Sequence, residues 1–151
     1  MKYFLVLIAL LALALSPAQA QKKPVAKTKV KAKVAAGPGA PAALLPGKSL
    51  YTQYCLTCHQ ADGGGVDGLN PTLSKTDYVV GDKTRLVNVL LNGLRGQDIG
   101  GEPYRNVMAS HDFLTDQQIA DVLTYVRHSF GNKANSVTAG EVKGVRAANK
   151  K

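Results

Sequence analysis

The chain has 151 residues, with 19 Lys and Arg against 10 Asp and Glu, for a formal net charge of +9. The excess sits in the ends: between Lys48 and Asn132 there are seven basic and nine acidic side chains, a net of −2. A nucleic-acid-binding domain would carry its positive patch on the folded surface, so that class is excluded for the central segment.

Residues 1–20 read as a secretory signal peptide. Lys2 supplies the positive start, Phe4 to Leu15 is an unbroken run of 12 apolar residues, and Ala18-Gln19-Ala20 offers small residues for cleavage after Ala20. The run is short of the roughly 20 residues a membrane-spanning helix needs, and no cysteine follows it as a lipid attachment point. Residues 21–46 form a Lys/Ala/Pro-rich stretch, from Lys22 and Lys23 through Gly37-Pro38-Gly39 to Pro46. Its charge repulsion and proline content predict a disordered linker. A weak electrostatic contact with an anionic membrane surface is the functional alternative to a merely solvated spacer.

The folded domain is expected over residues 47–132, near the lower end of independent domain size. A first helix runs from about Lys48, with Leu50, Tyr51 and Tyr54 as its bulky positions, into Cys55-Leu56-Thr57-Cys58-His59. C-x-x-C-H is the attachment sequence for one covalent haem c, through Cys55 and Cys58, with the adjacent imidazole of His59 delivered to the iron. These are the only two cysteines of the chain. Three alternatives compete: a zinc site, which needs about four ligands where only His111 and His128 could add to the motif; a thioredoxin-type pair, which expects a βαβ context; and chance spacing. Covalent haem attachment occurs outside the bacterial cytoplasm, in agreement with the signal peptide, so the mature protein is expected in the periplasm.

A second helix starts at the N-cap Asp82, carries Leu86, Val89 and Leu90 at helical spacing, and stops at Asn92-Gly93. A third is announced by the capping box Thr115-Asp116-Gln117-Gln118, with Ile119, Val122, Leu123, Val126 and Phe130 as its apolar stripe before Gly131. No alternating run suggests a sheet, so the fold class is all-α: three main helices and long loops around one haem. The glycine-rich loops Gln60–Gly81 and Leu94–Leu114 make sense as the walls of a cofactor pocket. Residues 133–151 form a basic extension in which Thr138-x-x-Glu141 offers a cap for a short helix bearing Val142 and Val145, with a frayed tail as the alternative.

Two axial iron ligands are sought. His59 is the proximal candidate, and the Pro71 carbonyl in the Asn70-Pro71 turn is placed to receive its second N–H. Met108 is the distal candidate: it is the only methionine left after removal of residues 1–20, it lies in a glycine-rich loop rather than on an amphipathic stripe, and thioether sulfur is an established haem ligand. His111 is the runner-up, and His128 is read as solvated.

These residues together resemble the monohaem class I cytochrome c family over about Gly47 to Gly131. Gly47, Tyr51 and Cys55 are spaced like the family's first helix, and Val122 and Tyr125 stand where the family places their partners on the last helix. Pro71 matches the proline that receives the ligand histidine. Gly101-x-x-Tyr104-x-x-x-Met108 matches the methionine loop, which adds Tyr104 to the cofactor-binding candidates. Ala109 departs from the pattern, since the family often places proline after its ligand methionine. The segment from Tyr125 to Lys133 is similar to cytochrome subunits that accept electrons from quinoprotein dehydrogenases.

The resemblance implies a non-enzymatic electron carrier, or an electron-transfer subunit of an oxidoreductase complex. It would shuttle one electron between a donor, such as a quinoprotein dehydrogenase or respiratory complex, and an acceptor such as a terminal oxidase. The competing classes are a haem enzyme or gas sensor with a labile distal ligand, and a haem-free thiol or zinc protein.

Overall fold

The computed structural model describes residues 42–149. All of them belong to the compact unit Val34–Lys151. The expected signal peptide and most of the expected linker lie outside the described residues.

After a 3-10 turn at Ala42–Leu44 come the helices α1 (Leu45–Tyr54), α2 (Leu56–His59), α3 (Asp77–Val80), α4 (Lys83–Asn92), α5 (Asp116–His128) and α6 (Ala139–Ala148). A two-residue antiparallel ladder, β1 (Asp98–Ile99) with β2 (Glu102–Pro103), interrupts the loop before α5. The architecture is all-α, with this one small ladder as an addition to the expected pattern. No helix among the described residues is long and apolar enough to cross a membrane.

α1 begins earlier than the sequence suggested, because Pro46 lies in its first turn, where a missing N–H costs no helical bond. The end of the expected linker is thus part of the folded unit. α4 starts at Asp82, whose carboxylate accepts from the Arg85 N–H at 2.6 Å. α5 has the full capping box, with Thr115 and Gln118 bonding reciprocally. It ends at His128, however, before Phe130. Phe130 instead takes a φ of 56°, an uncommon conformation for a bulky residue. Its ring lies 5.2 Å from that of Tyr51 and 5.8 Å from that of Tyr125. A Cβ on Gly63 would fall within 2.8 Å of three of its ring carbons, so the packing fixes the turn.

The core is set by the crossing of α1 over α5. At Gly47 a Cβ would lie 2.6 Å from the Tyr125 Cβ and still closer to the Asp121 carbonyl oxygen, so only glycine allows the backbones to meet. Tyr51, 2% exposed, lies one turn further along, its ring 5.5 Å from that of Tyr125. Its hydroxyl donates to the Gln60 carbonyl at 2.6 Å. That bond anchors the end of α2 to the crossing.

Candidate cofactor and metal site

α1 and α2 are separated only by Cys55, whose N–H still donates to the Tyr51 carbonyl at 2.9 Å and whose carbonyl accepts from the His59 N–H at 2.9 Å. The two cysteines and His59 are therefore carried on one nearly continuous helical segment, rigidly joined to the α1–α5 crossing. Cys55 is half-buried, Cys58 is exposed, and neither is in a disulfide. Burial, reinforced by Cys58, pushes the Cys55 thiol up to about 11.

His59 is 9% exposed. Its Nδ1 is 3.0 Å from the Pro71 carbonyl oxygen. A carbonyl can only accept, so Nδ1 carries the proton and Nε2 keeps its lone pair for another partner. Burial lowers the imidazole pKa below its usual value, the Pro71 bond raises it in part, and nearby His111 lowers it further. The ring is thus held in the neutral form that a metal requires. The Pro71 carbonyl is delivered by a tight loop: Gly65 at φ 72° donates to the His59 carbonyl at 3.1 Å, and Val66 bridges Asn70. A Cβ on Gly65 would lie 2.6 Å from the Pro71 oxygen.

Met108 is positioned from the other side. Its N–H and carbonyl pair with Leu94 at 2.9 and 3.0 Å. Gly93, which caps α4 at φ 75°, leaves space for the Met108 carbonyl that a Cβ would occupy. The following turn is braced by the His111 ring, whose Nδ1 is 3.0 Å from the Ala109 carbonyl oxygen, and by the His111 N–H to Leu90 at 2.7 Å. His128 is exposed and points its Nδ1 at the Thr124 carbonyl, 2.9 Å away.

His59, Pro71, Met108 and His111 all line one apolar cavity, together with Cys55, Leu73, Leu90, Val122 and Leu123. A second hollow shares His59, Pro71, Met108 and His111 and adds Cys58 and Tyr104. The six residues singled out from the sequence therefore line two hollows that have His59, Pro71 and Met108 in common. The two loops close over it where the Asn106 N–H donates to the Leu69 carbonyl at 3.2 Å and the Asn106 amide to the Asn70 side chain at 3.1 Å. Among the described residues no group of three His, Cys, Asp or Glu side chains is arranged to hold a metal ion. An imidazole nitrogen, a thioether sulfur and two thiols on an apolar cavity suit a flat apolar group that brings its own iron.

Two supporting residues were missed in the sequence. Arg127 is buried at 3% and donates to the carbonyls of Val79, Gly81 and Asn135. Asn132, 5% exposed, bonds Leu73, Lys75 and Val126, fastening the loop after Pro71 to the end of α5.

The cytochrome c family model matches residues 44–130. The chain is 39% identical over 107 residues to the cytochrome c subunit of the quinone alcohol dehydrogenase of Gluconacetobacter polyoxogenes, covering 69% of this chain and 23% of that subunit. It is 35% identical over 104 residues to the gluconate 2-dehydrogenase cytochrome c subunit of Pantoea cypripedii, covering 66% of this chain and 24% of the other. Thermus thermophilus cytochrome c-552 is 35% identical over 119 residues, covering 72% of this chain and 80% of that protein. The chain thus spans about a quarter of the dehydrogenase subunits and most of cytochrome c-552.

Proposed function

This chain belongs to the cytochrome c family, and from that membership we propose that it is an exported one-electron carrier with a single haem c. Cys55 and Cys58 would hold the group by thioether links, His59 Nε2 and Met108 Sδ would donate to its iron, and Pro71 and Tyr104 would line its pocket. The observation that carries the reading is the His59 Nδ1–Pro71 bond at 3.0 Å. It fixes the tautomer and leaves Nε2 its lone pair, on a ring that lines a cavity shared with Met108.

When bound, the haem supplies an Fe(II)/Fe(III) couple. The residues of the chain do the rest. The Pro71 carbonyl orients the His59 ring and raises its basicity. Met108 as an iron donor would raise the potential relative to a second imidazole and would keep substrates off the metal. The apolar walls exclude water. A carrier of this kind meets its partners in brief, small contacts. Among the relatives are cytochrome subunits of quinone-linked alcohol dehydrogenase and gluconate dehydrogenase, which supports a quinoprotein dehydrogenase as donor and the periplasm as the working compartment.

The test is to express the full chain in a host that matures c-type cytochromes, then extract with acid–acetone and titrate electrochemically. The expected result is colour retained on the protein, a one-electron Nernst curve, and release of the colour from a Cys55→Ser/Cys58→Ser double variant. Colour lost from the wild type, or ready cyanide binding at neutral pH, would refute the carrier reading.

A further inference from the structure

We propose that α6 is a clasp on the distal loop, and that Arg146 is a positioning residue controlling how readily Met108 leaves the iron. The inference rests on the reading of Met108 as the axial ligand.

The family match ends at residue 130, whereas the chain continues into a well-built helix beyond it. Thr138 and Glu141 form a complete capping box at its start. Val142 is fully buried and Val137 nearly so, and α6 packs on both α4 and α5. The helix is therefore docked along its length rather than frayed.

Its last turns grip the two ends of the segment that carries Met108. The Arg146 guanidinium donates through Nε to the Asp116 carboxylate at 2.7 Å, through Nη1 to the Asp112 carbonyl at 3.0 Å and through Nη2 to the Leu114 carbonyl at 2.7 Å. Those three acceptors span the chain as it passes from the distal loop into α5. At the other end Asn149 exchanges amide hydrogen bonds with Asn92 at 3.0 and 3.1 Å. Asn92 is the last residue of α4 and directly precedes Gly93 and Leu94, the residues against which the Met108 backbone is paired. One helix thus fastens both roots of a loop whose middle holds the ligand.

Displacing Met108 requires the loop to swing away from Leu94, and a loop pinned at both roots has little slack for that. Loss of the guanidinium frees the root nearer α5 while leaving the Leu94–Met108 pair and the cavity wall in place. The fork geometry matters: three acceptors around one planar cation are matched by arginine, whereas lysine offers a point charge.

The test uses the haem-loaded full chain. The far-red iron–methionine band is recorded in the oxidised protein, and its loss is timed after mixing with cyanide. Arg146→Ala and Asn149→Ala are compared with Asn132→Ala, which removes hydrogen bonds of similar number on the His59 side. Arg146→Ala is expected to keep the band at rest but to take up cyanide about tenfold faster or more, given three charge-assisted bonds. Arg146→Lys should recover part of that, and Asn132→Ala at equal loss of urea stability should change the rate much less. A wild-type rate in Arg146→Ala overturns the proposal whatever Asn149→Ala does, as does equal acceleration in Asn132→Ala. If the wild type lacks the far-red band, the ligand reading itself fails, and the clasp with it.

Discussion

Gly47→Ala should destabilise the folded protein although alanine is the better helix former. In an unobstructed helix the exchange favours alanine by about 0.5–1 kcal/mol. At Gly47, however, the new Cβ would stand 2.6 Å from the Tyr125 Cβ, well inside the roughly 3.5–4.0 Å at which carbon atoms pack. Both sides of the contact are backbone or Cβ, so no side-chain rotation relieves it. The helices must separate by about 1 Å, which loosens Tyr51 against Tyr125, and overpacking of this kind costs about 1–3 kcal/mol. Gly144 provides an internal control, because it lies within α6 and a Cβ there would meet nothing within 4 Å. Gly144→Ala should therefore stabilise by up to about 1 kcal/mol. Urea unfolding of the two haem-loaded variants, followed by circular dichroism, should show shifts of opposite sign separated by roughly 2–4 kcal/mol. A Gly47→Ala protein as stable as Gly144→Ala would refute the close helix crossing and, with it, the rigid mounting of Cys55 and His59.

Three further predictions concern the supports of the site. Arg127→Met fills the same space but strips the donors from three carbonyls, and should cost about 1.5–3 kcal/mol in urea unfolding; a change within about 0.5 kcal/mol, the range of ordinary surface substitutions, would contradict that role. Asn132→Ala should cost about 2 kcal/mol or more through stranded backbone groups at Leu73, Lys75 and Val126, and hydrogen exchange should quicken first in residues 72–76. Glu141 is held down to about 2 by the Lys83 ammonium first, then by the Thr138 N–H and hydroxyl. Its contribution is present above the ordinary carboxylate pKa and is lost as pH falls from about 4 through about 2, so amide exchange in α6 should accelerate across that window. The group is exposed, so the effect is a few tenths of a kcal/mol, and Glu141→Gln should abolish the pH dependence while leaving the rate at pH 7 slightly raised.

Local signals made much of this legible. Asp82 and Thr115 cap their helices as their sequences require, and the helix contact of Gly47 and Tyr51 with Tyr125, which the family resemblance implied, is present. Cys55, Cys58 and His59 could be singled out together because C-x-x-C-H places them within five positions, whereas Met108 had to be sought elsewhere in the chain. What escaped depended on partners far along the chain. Phe130 continued the apolar stripe of α5, yet its ring is claimed by Tyr51 and Gly63, which pull it out of the helix. Arg127 gave no sign of its supporting role because its carbonyl partners at Val79 and Gly81 are more than 40 residues away. The clasp was hidden for the same reason: nothing near Arg146 in sequence points to Asp116. Two elements had overlooked local signals: Thr76-Asp77 is a fair helix start for α3 (Asp77–Val80), and Gly100-Gly101, both at positive φ, is a two-residue hairpin turn between β1 and β2.

The central claim is that His59 and Met108 hold the same iron. Its most direct test is the far-red absorption of the oxidised, haem-loaded protein in three forms. The band should be present in the wild type and in His111→Ala and absent in Met108→Ala. A wild type without the band, or a band that survives in Met108→Ala and disappears in His111→Ala, would contradict the account.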